Sequence, residues 1–218
     1  MTLAKPVYDP PLDCSNCARL TSFRVKNQSL YPGFFNAPVP SFGDLSGRFL
    51  IVGLAPGLKG ANQTGRPFTG DYAGDLLYET LARFDFSNGR YDVRIDDGLQ
   101  LKDCLITNAV RCVPPENKPK GDEIKRCRSF FIDLLASMPN LEVILALGRI
   151  AHECVVSSFE MKRAAFPFGH GARHALREGL TFFDSYHCSR YNTNTRRLTP
   201  QMFYDVFAAI RAELDSHE

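Results

Sequence analysis

Short apolar runs alternate with helical patterns along most of this chain. Runs of strand length predict four β-strands, at residues 48–54, 104–109, 141–147 and 181–186. Apolar side chains that recur every three or four positions predict four helices, at residues 72–84, 122–137, 149–159 and 202–214. Strands that alternate with helices in this way are typical of the α/β class.

The order of these elements predicts a doubly wound, mostly parallel four-stranded central sheet flanked by helices. Residues 1–47 follow neither periodicity and are rich in Pro, Gly, Phe and Ser. We therefore expect an irregular N-terminal arm, which carries Cys14 and Cys17, rather than a second domain. The whole chain, residues 1–218, is then expected to form one domain.

The composition favours a folded chain without a membrane segment. Hydrophobic residues make up 44% and charged residues 23% of the 218, which allows a sizeable core and excludes wholesale disorder. The longest uncharged apolar stretches have only the length of a strand, and residues 1–6 lack the pattern of a secretory signal. Seven cysteines at uneven spacing favour reduced thiols. We expect a cytoplasmic monomer with no membrane partner.

Charge is distributed unevenly along the chain. The net charge is +2, but residues 162–197 contain seven basic and two acidic residues, a local charge of +5. Basic charge concentrated beside a loop suits a polyanion such as DNA. A solvated basic face next to an acidic last helix explains the same distribution, and charge alone slightly favours that interpretation.

A ligand site is expected where the predicted strands end. Ligands of such sheets bind outside the carboxyl ends of the strands. Three strands run there into unusual segments: the first into residues 53–60 and 64–71, the second into residues 111–115, and the fourth into residues 187–197. Their convergence at one edge predicts the functional site.

The cysteines divide into two groups. Cys14 and Cys17 have a spacing that lets two thiolates face one metal, and Cys112 and Cys127 form a distant second pair. Together the four could hold an iron–sulfur cluster or a zinc ion. The other interpretation is that cysteines are small buried hydrophobic residues. The remaining three, Cys104, Cys154 and Cys188, look different from these four.

Six motifs together resemble the uracil-DNA glycosylase superfamily, and within it the type 5 (type b) enzymes. They are GLAPG at residues 53–57, NQTGRPFTGD at 62–71, AVRCVPPENKP at 109–119, ALGRIA at 146–151, FGHGA at 168–172 and SYHCSRYNTNTRRLTP at 185–200. The related type 4 enzymes carry an acidic residue where this chain has Leu54, which favours type 5. Cys188 departs from the pattern, because most relatives have Pro or another apolar residue there.

The resemblance implies a DNA repair glycosylase that removes uracil, or another deaminated base, from DNA. It also implies a [4Fe-4S] cluster on Cys14, Cys17, Cys112 and Cys127, which would tie the arm down. It places the catalytic carboxylate at Asp71. From the residues alone, Asp71 is better explained as the N-cap of the following helix.

Cleavage of the base from deoxyribose needs an anion near the sugar and a hydrogen-bond donor at the departing base. We expect Asp71 to supply the first and His187 the second, at the O2 oxygen of the base. A lone histidine at a strand end is more often structural, but the polar loop that follows favours function. Phe68 is expected to stack on the flipped base, and Asn108 to read its edge or position water.

The remaining candidate residues would bind the DNA. The backbone of Gly53, Leu54, Ala55 and Gly57 can approach the base or sugar closely. Arg190 and Tyr191 are candidates for a wedge in the minor groove. The other loop candidates, most of them expected at phosphates, are Ser189, Asn192, Thr193, Asn194, Arg196 and Arg197.

Two alternatives belong to other function classes. Four cysteines with Asp and His also suit a non-catalytic, zinc-stabilised nucleic-acid-binding module. A nucleotide hydrolase could use residues 53–57 as a phosphate cradle, but the loop lacks the Gly-Lys-Ser/Thr ending of a P-loop.

Overall fold

The computed structural model describes residues 8–216, so residues 1–7 of the predicted arm and the last two residues lie outside the description. The strands are β1 (Phe42–Gly43), β2 (Phe49–Gly53), β3 (Ser87–Asn88), β4 (Gln100–Leu101), β5 (Cys104–Asn108), β6 (Val143–Leu147), β7 (Arg173–Arg177) and β8 (Leu180–Ser185). The α-helices are α1 (Ala18–Leu30), α2 (Ala61–Thr64), α3 (Tyr72–Arg83), α4 (Gly121–Ala136), α5 (Arg149–Ser158), α6 (Arg190–Asn194) and α7 (Pro200–Asp215). No helix in this range is both long and apolar enough to cross a bilayer.

The central sheet has the strand order β1-β5-β2-β6-β8-β7. Its four middle strands run parallel, and the two edge strands are antiparallel to their neighbours. The carboxyl ends of β2, β5, β6 and β8 therefore meet at one edge of the sheet. In the register of β2 and β5, Gly53 lies opposite Asn108.

Helices cover both faces of this sheet and form a three-layer α/β arrangement. Alternate residues of β2 enter opposite cores because successive side chains of a strand point to opposite faces. Phe49 and Ile51 pack in a core with α3 and α7. Leu50 and Val52 pack in a second core with α4 and α5. The prediction of an α/β fold with a mostly parallel sheet is confirmed.

Two parts of the fold prediction are wrong. The sheet has six strands rather than four, because β1 and β7 add to its edges. The sequence of β7 contains Arg173, His174 and Arg177, and only Leu176 is fully buried. Charged residues are common on edge strands because they discourage pairing with another chain. They also hide the apolar alternation by which a strand is recognised in a sequence.

The N-terminal arm is also more ordered than predicted, since it contains α1 and β1. Polar side chains such as Arg24 and Asn27 are buried in α1, so its sequence lacks an apolar stripe. Arg19 of α1 forms hydrogen bonds of 2.7 and 2.8 Å with the buried carboxylate of Glu123 in α4. Arg126 of α4 donates to the carbonyl of Asn16 at 2.9 Å. Protein contacts thus fasten the arm to α4.

Candidate active site

The loops after β2, β5 and β8 enclose one cleft at the carboxyl edge of the sheet. Its volume is about 820 Å³, within the usual range of roughly 300–1,000 Å³ for ligand pockets. Nine of the residues predicted from the sequence line it: Leu54, Ala55, Gly57, Phe68, Asp71, Asn108, His187, Ser189 and Arg190. The topology therefore brings together segments that are up to about 130 positions apart in the chain.

Gly53 lets two side chains of the cleft approach each other. A Cβ atom on Gly53 would lie 2.3 Å from Oδ1 of Asn108 and 2.7 Å from Cζ of Phe68. Real Cβ atoms do not approach other heavy atoms this closely, so any larger residue must displace both side chains. Gly53 is therefore required by the close approach of its neighbours.

Replacing Gly53 by Ala should lower the rate of the base excision that the sequence resemblance implies by about 10²-fold, because a displacement of about 1 Å in a catalytic site has that effect. The matched control is Gly57→Ala, whose new Cβ would meet its nearest neighbour, Oδ2 of Asp71, at 3.4 Å. We expect the control to change the rate much less. Single-turnover rates and melting temperatures of both variants test this, and equal rates would remove the steric role of Gly53.

Phe68 sits in a strained turn that surrounding residues hold in place. Its φ of +53° lies in the left-handed region, which is uncommon for a bulky residue. Arg66, which forms two hydrogen bonds of 2.7 and 2.8 Å with Asp97, also donates to Oγ1 of Thr69 at 2.8 Å. Tyr78 donates to the carbonyl of Pro67 at 2.6 Å. These contacts fix Phe68 against the cleft.

Asp71 caps helix α3 and also lines the cleft. It is the N-cap of α3, and its Oδ1 accepts from the backbone N–H of Gly74 at 3.3 Å. The other oxygen, Oδ2, lies close to Gly60 in the loop after β2, since a Cβ atom on Gly60 would lie 2.5 Å from it. Burial raises the pKa of this carboxyl, and the backbone hydrogen bonds from Gly74 and Ala73 counteract that effect only in part. The predicted cap is confirmed, and the same carboxylate lines the cleft.

His187 is partly buried at the wall of the cleft, and its imidazole is electrically neutral at pH 7. Burial lowers the pKa of its imidazole to about 4. Its ring lies 5.8 Å from that of Phe68, centroid to centroid, at an interplanar angle of 27°. Nδ1 is buried, and no residue between 8 and 216 forms a hydrogen bond with it. A buried polar atom without a partner is rare and costs free energy, which indicates that a ligand satisfies it.

The loop that carries His187 is held by its own residues. Cys188 is fully buried, and its thiol lies 3.4 Å from the carbonyl of Ala73 at the start of α3. Asn192 donates from Nδ2 to the carbonyl of His187 at 2.8 Å. Ser189 caps α6 by accepting from the backbone N–H of Asn192. Cys188 thus takes the buried position expected of an apolar residue and anchors the loop to α3.

Comparison with known proteins identifies the family of this chain. The model of the family "Uracil DNA glycosylase superfamily" matches residues 40–211. The chain belongs to this superfamily. A type-5 uracil-DNA glycosylase of Thermus thermophilus is 42% identical over 198 residues, which cover 88% of this chain and 90% of that protein.

Two further relatives are also type-5 uracil-DNA glycosylases. That of Pyrobaculum aerophilum is 36% identical over 206 residues, or 93% of this chain and 89% of that protein. That of Mycobacterium bovis is 37% identical over 202 residues, or 89% of this chain and 75% of that protein. The resemblance to type 5 uracil-DNA glycosylases is confirmed.

Other predicted residues of this uracil-DNA glycosylase superfamily member lie on the rim of the cleft or outside it. Tyr191 is 72% exposed, and Arg196 is exposed on a turn with a φ of +56°. Arg190 and Arg197 lie over the rings of Tyr72 and Tyr186, at 5.2 and 4.6 Å from the centroids. Cation–π contacts of this kind hold guanidinium groups in fixed positions. Tyr191, Asn192 and Arg196 do not line the cleft.

Sequence reasoning missed several lining residues of this superfamily member's cleft, among them Lys59, Tyr72, Asp75, Val93 and Asn117. Val93 belongs to the long connection between β3 and β4 and has a φ of +60°. A β-branched residue is strained in that conformation, and such strain is common at functional sites. No local pattern in the sequence points to this loop, because only the fold brings it to the cleft.

The four cysteines of the predicted metal site line one separate cavity in this superfamily member. Cys14, Cys17, Cys112 and Cys127 surround it together with apolar residues that include Leu20 and Phe130. The backbone N–H of Arg111 donates to Sγ of Cys127 at 3.4 Å, and Nη1 of Arg24 lies 3.7 Å from Sγ of Cys112. In contrast, Cys104, Cys154 and Cys188 are buried in the two cores.

Proposed function

We propose that this protein is a monofunctional DNA glycosylase that excises uracil from DNA and leaves an abasic site. His187 carries this proposal, because its neutral imidazole, whose Nδ1 has no partner within residues 8–216, lines the same cleft as the carboxylate of Asp71. The names of the relatives support uracil as the base. The same relatives give no support to a non-catalytic zinc module.

The reaction requires the uracil nucleotide to leave the duplex stack and enter the cleft. The bond between N1 of the base and C1′ of the sugar then breaks, and its electrons move to the base. The sugar becomes oxocarbenium-like, and water adds at C1′. The protein must therefore stabilise a positive centre and a negative one a few ångströms apart.

Asp71 is the group that stabilises the positive centre. The reaction uses the ionised carboxylate, which the backbone N–H groups of Gly74 and Ala73 favour, although burial raises its pKa above the usual value. In a buried site a fixed negative charge interacts with the cationic sugar more strongly than in water. The carboxylate of Asp71 can also accept a proton from the attacking water, and the resulting hydroxide then bonds to C1′.

His187 is the group that stabilises the negative centre. A neutral imidazole is a hydrogen-bond donor through one ring nitrogen and an acceptor through the other. The donor would bind the O2 oxygen of uracil, where negative charge grows as the bond breaks. Since its pKa is about 4, His187 performs this role without a positive charge over the physiological pH range.

Phe68 and Asn108 form the base-binding part of the cleft in this proposal. The contacts of Gly53 show that Asn108 Oδ1 and the Phe68 ring approach the same point. A ring face stacks on any base, whereas an amide can pair with the polar edge of uracil. Asn108 would thus supply selectivity and Phe68 binding energy.

The basic rim would bind the DNA backbone beside the flipped nucleotide. Arg190 and Arg197 are held by aromatic rings next to the cleft. Arginines fixed in this way bind phosphates with less loss of side-chain entropy than free ones. The local charge of +5 in residues 162–197 supports the same surface.

An excision assay tests the proposed function. Oligonucleotides that each contain one uracil, hypoxanthine, xanthine or thymine are incubated with the protein, and strand cleavage at abasic sites is scored. We expect cleavage at uracil. Binding of uracil-containing DNA without any cleavage would favour a non-catalytic module instead.

We further propose that Cys14, Cys17, Cys112 and Cys127 hold a [4Fe-4S] cluster. The fit rests on four thiol donors around one cavity, a backbone N–H directed at one sulfur and the buried cation Arg24 beside another. A bound cluster would stabilise the fold, because it links the arm to α4 and to the loop after β5. No step of base excision passes through it.

The spacing of the sulfurs favours a cluster over a zinc ion. Four thiolates around one zinc lie about 3.8 Å apart, given tetrahedral geometry and Zn–S bonds of about 2.3 Å. Among residues 8–216, no three cysteine sulfurs all lie within 4.8 Å of one another. A four-iron cluster is larger than one ion and holds its thiolates farther apart.

Replacing Cys112 by Ser should remove the iron and lower solubility and melting temperature together. The matched control is Cys154→Ser, which changes a buried cysteine outside the cavity. We expect the control to keep its iron and its brown colour, although it will lose some stability. A Cys112→Ser protein that remained folded and active without iron would contradict the structural role of the cluster.

A further inference from the structure

A second cluster of metal-ligating side chains lies outside both the cleft and the cysteine cavity. It consists of His152 on α5, His174 on β7 and Asp184 on β8. One ligand atom from each lies within 4.8 Å of the other two. The side chains of His152 and Asp184 are 3% and 0% exposed. Neither the excision reaction nor the proposed iron–sulfur cluster uses these residues.

His152 has an acceptor at each ring nitrogen. Nε2 lies 2.9 Å from the carbonyl oxygen of Phe166, and Nδ1 lies 2.8 Å from Oδ1 of Asp184. A carbonyl can only accept, so Nε2 must carry the hydrogen. In the neutral ring the lone pair of Nδ1 would then face a buried carboxylate. A cation between these two atoms, either a proton or a metal ion, removes the repulsion.

The surroundings of His174 indicate whether this cation is a proton or a metal ion. Its Nε2 is buried, lies 3.5 Å from Oδ2 of Asp184 and forms no hydrogen bond with any residue of the described range. A proton shared by His152 and Asp184 leaves this nitrogen unsatisfied. A metal ion bound by all three residues would satisfy it, since neutral imidazole nitrogens are common metal ligands.

We propose that His152, His174 and Asp184 bind a divalent transition-metal ion, with zinc as the expected occupant. Zinc bonds of about 2.0–2.2 Å to nitrogen and oxygen place neighbouring ligand atoms roughly 2.9–3.5 Å apart, as the angle widens from 90° to tetrahedral. With both carboxylate oxygens of Asp184 as ligands, the distances of 2.8 Å from His152 to Oδ1 and 3.5 Å from His174 to Oδ2 agree with that range to within about 0.1 Å. Two imidazoles with one carboxylate are a ligand set that suits zinc.

The surrounding contacts match the outer shell of such a site. A metal-bound histidine usually donates its other ring N–H to a carbonyl or carboxylate, as His152 does to Phe166. The carboxylate of Asp184 also faces the backbone N–H of Gly169 at 3.4 Å. These contacts orient the ligands before the ion binds.

The ion would connect α5, β7 and β8 with the loop between α5 and β7. Asp184 lies three residues before His187, and His170 in that loop accepts from the backbone N–H of Tyr186 at 3.2 Å. The metal is therefore structural in this proposal: it stiffens the segment from which the active-site loop departs. It takes no part in cleavage of the glycosidic bond.

Metal analysis of the full-length protein, produced with both iron and zinc in the medium, tests the proposal. We expect about one zinc per chain in the wild type and less than about 0.1 in His174→Gln. The amide of glutamine can donate a hydrogen bond to Asp184 but is a poor zinc ligand, so the fold should persist. The matched control is Glu178→Gln, which alters an exposed carboxylate in the turn between β7 and β8 and should keep its zinc.

X-ray absorption at the zinc edge of the wild type separates this site from zinc misplaced in the cysteine cavity. The proposal predicts only nitrogen and oxygen neighbours at about 2.0–2.2 Å, whereas the cysteines would give sulfur at about 2.3 Å. Sulfur neighbours, a wild type that takes up no zinc, or zinc retained in His174→Gln would each overturn it. The iron content is measured on the same samples and reports on the cluster independently.

Discussion

Replacing Asp71 by Asn should lower the single-turnover rate of uracil excision by about 10²–10⁴, the usual contribution of a group that moves a proton in the rate-limiting step. Asparagine removes the negative charge that would stabilise the sugar cation but keeps nearly the same shape. Affinity for uracil-containing DNA should change little, because the base and phosphate contacts remain. Rate and affinity are measured on the same sample.

The melting temperature of Asp71→Asn separates catalysis from capping. Asp and Asn are nearly equal N-caps, so the loss of stability should stay below about 1 kcal/mol. A folded variant that binds normally and cleaves at the wild-type rate would remove Asp71 from the mechanism. Ser189→Ala is the matched control, because it removes the N-cap of α6 at the rim of the same cleft without removing a charge.

The pH dependence gives an independent test of Asp71. Burial raises the pKa of its carboxyl, so the ionised form that the reaction needs is lost at a pH above the usual 3.8. The wild-type rate should fall as the pH drops through this raised value. The acidic limb should be absent in Asp71→Asn. Stability behaves oppositely, since the folded state favours the protonated carboxyl and loses stability as the pH rises through the same window.

Replacing His187 by Leu should lower the excision rate by about 10²–10³, the usual effect of losing one donor to a developing anion. Leucine fills a similar volume in this partly buried position but cannot donate a hydrogen bond. His187→Gln is the matched variant, since its amide keeps an N–H donor, and it should recover part of the rate. If both variants cleave equally fast, hydrogen bonding by His187 does not contribute to the reaction.

The pH dependence of stability reports whether His187 is neutral in the folded protein. Its pKa is about 4 when folded, against an ordinary value of 6.5. The unfolded chain therefore binds more protons between these values, and the free energy of unfolding should fall as the pH drops from 6.5 towards 4. Chemical denaturation at several pH values should show this loss in the wild type, and a smaller one in His187→Leu.

Local patterns in the sequence were sufficient to predict the framework of this protein. The four parallel strands and four long helices follow from apolar periodicity, which is a property of short windows of sequence. The polar loops after these strands predict at which edge of the sheet the site lies, since parallel strands end on the same side. The edge strand β7 was missed because exposed charged residues interrupt its apolar alternation, and helix α1 was missed because its buried residues include Arg24 and Asn27.

The chemistry of the site was decided by tertiary structure. A sequence shows a histidine at position 187, but only desolvation by the surrounding fold lowers its pKa to about 4, and only the fold leaves Nδ1 without a partner among the described residues. The need for glycine at position 53 likewise arises from Asn108 and Phe68, which reach it from other segments. His152 and Asp184 are 32 positions apart and belong to no shared motif. The dielectric environment of a side chain and its close approaches to other atoms depend on residues distant in sequence. Apolar periodicity depends only on neighbouring residues, so the sequence alone determined the strands and helices, whereas the chemistry of the site required the fold.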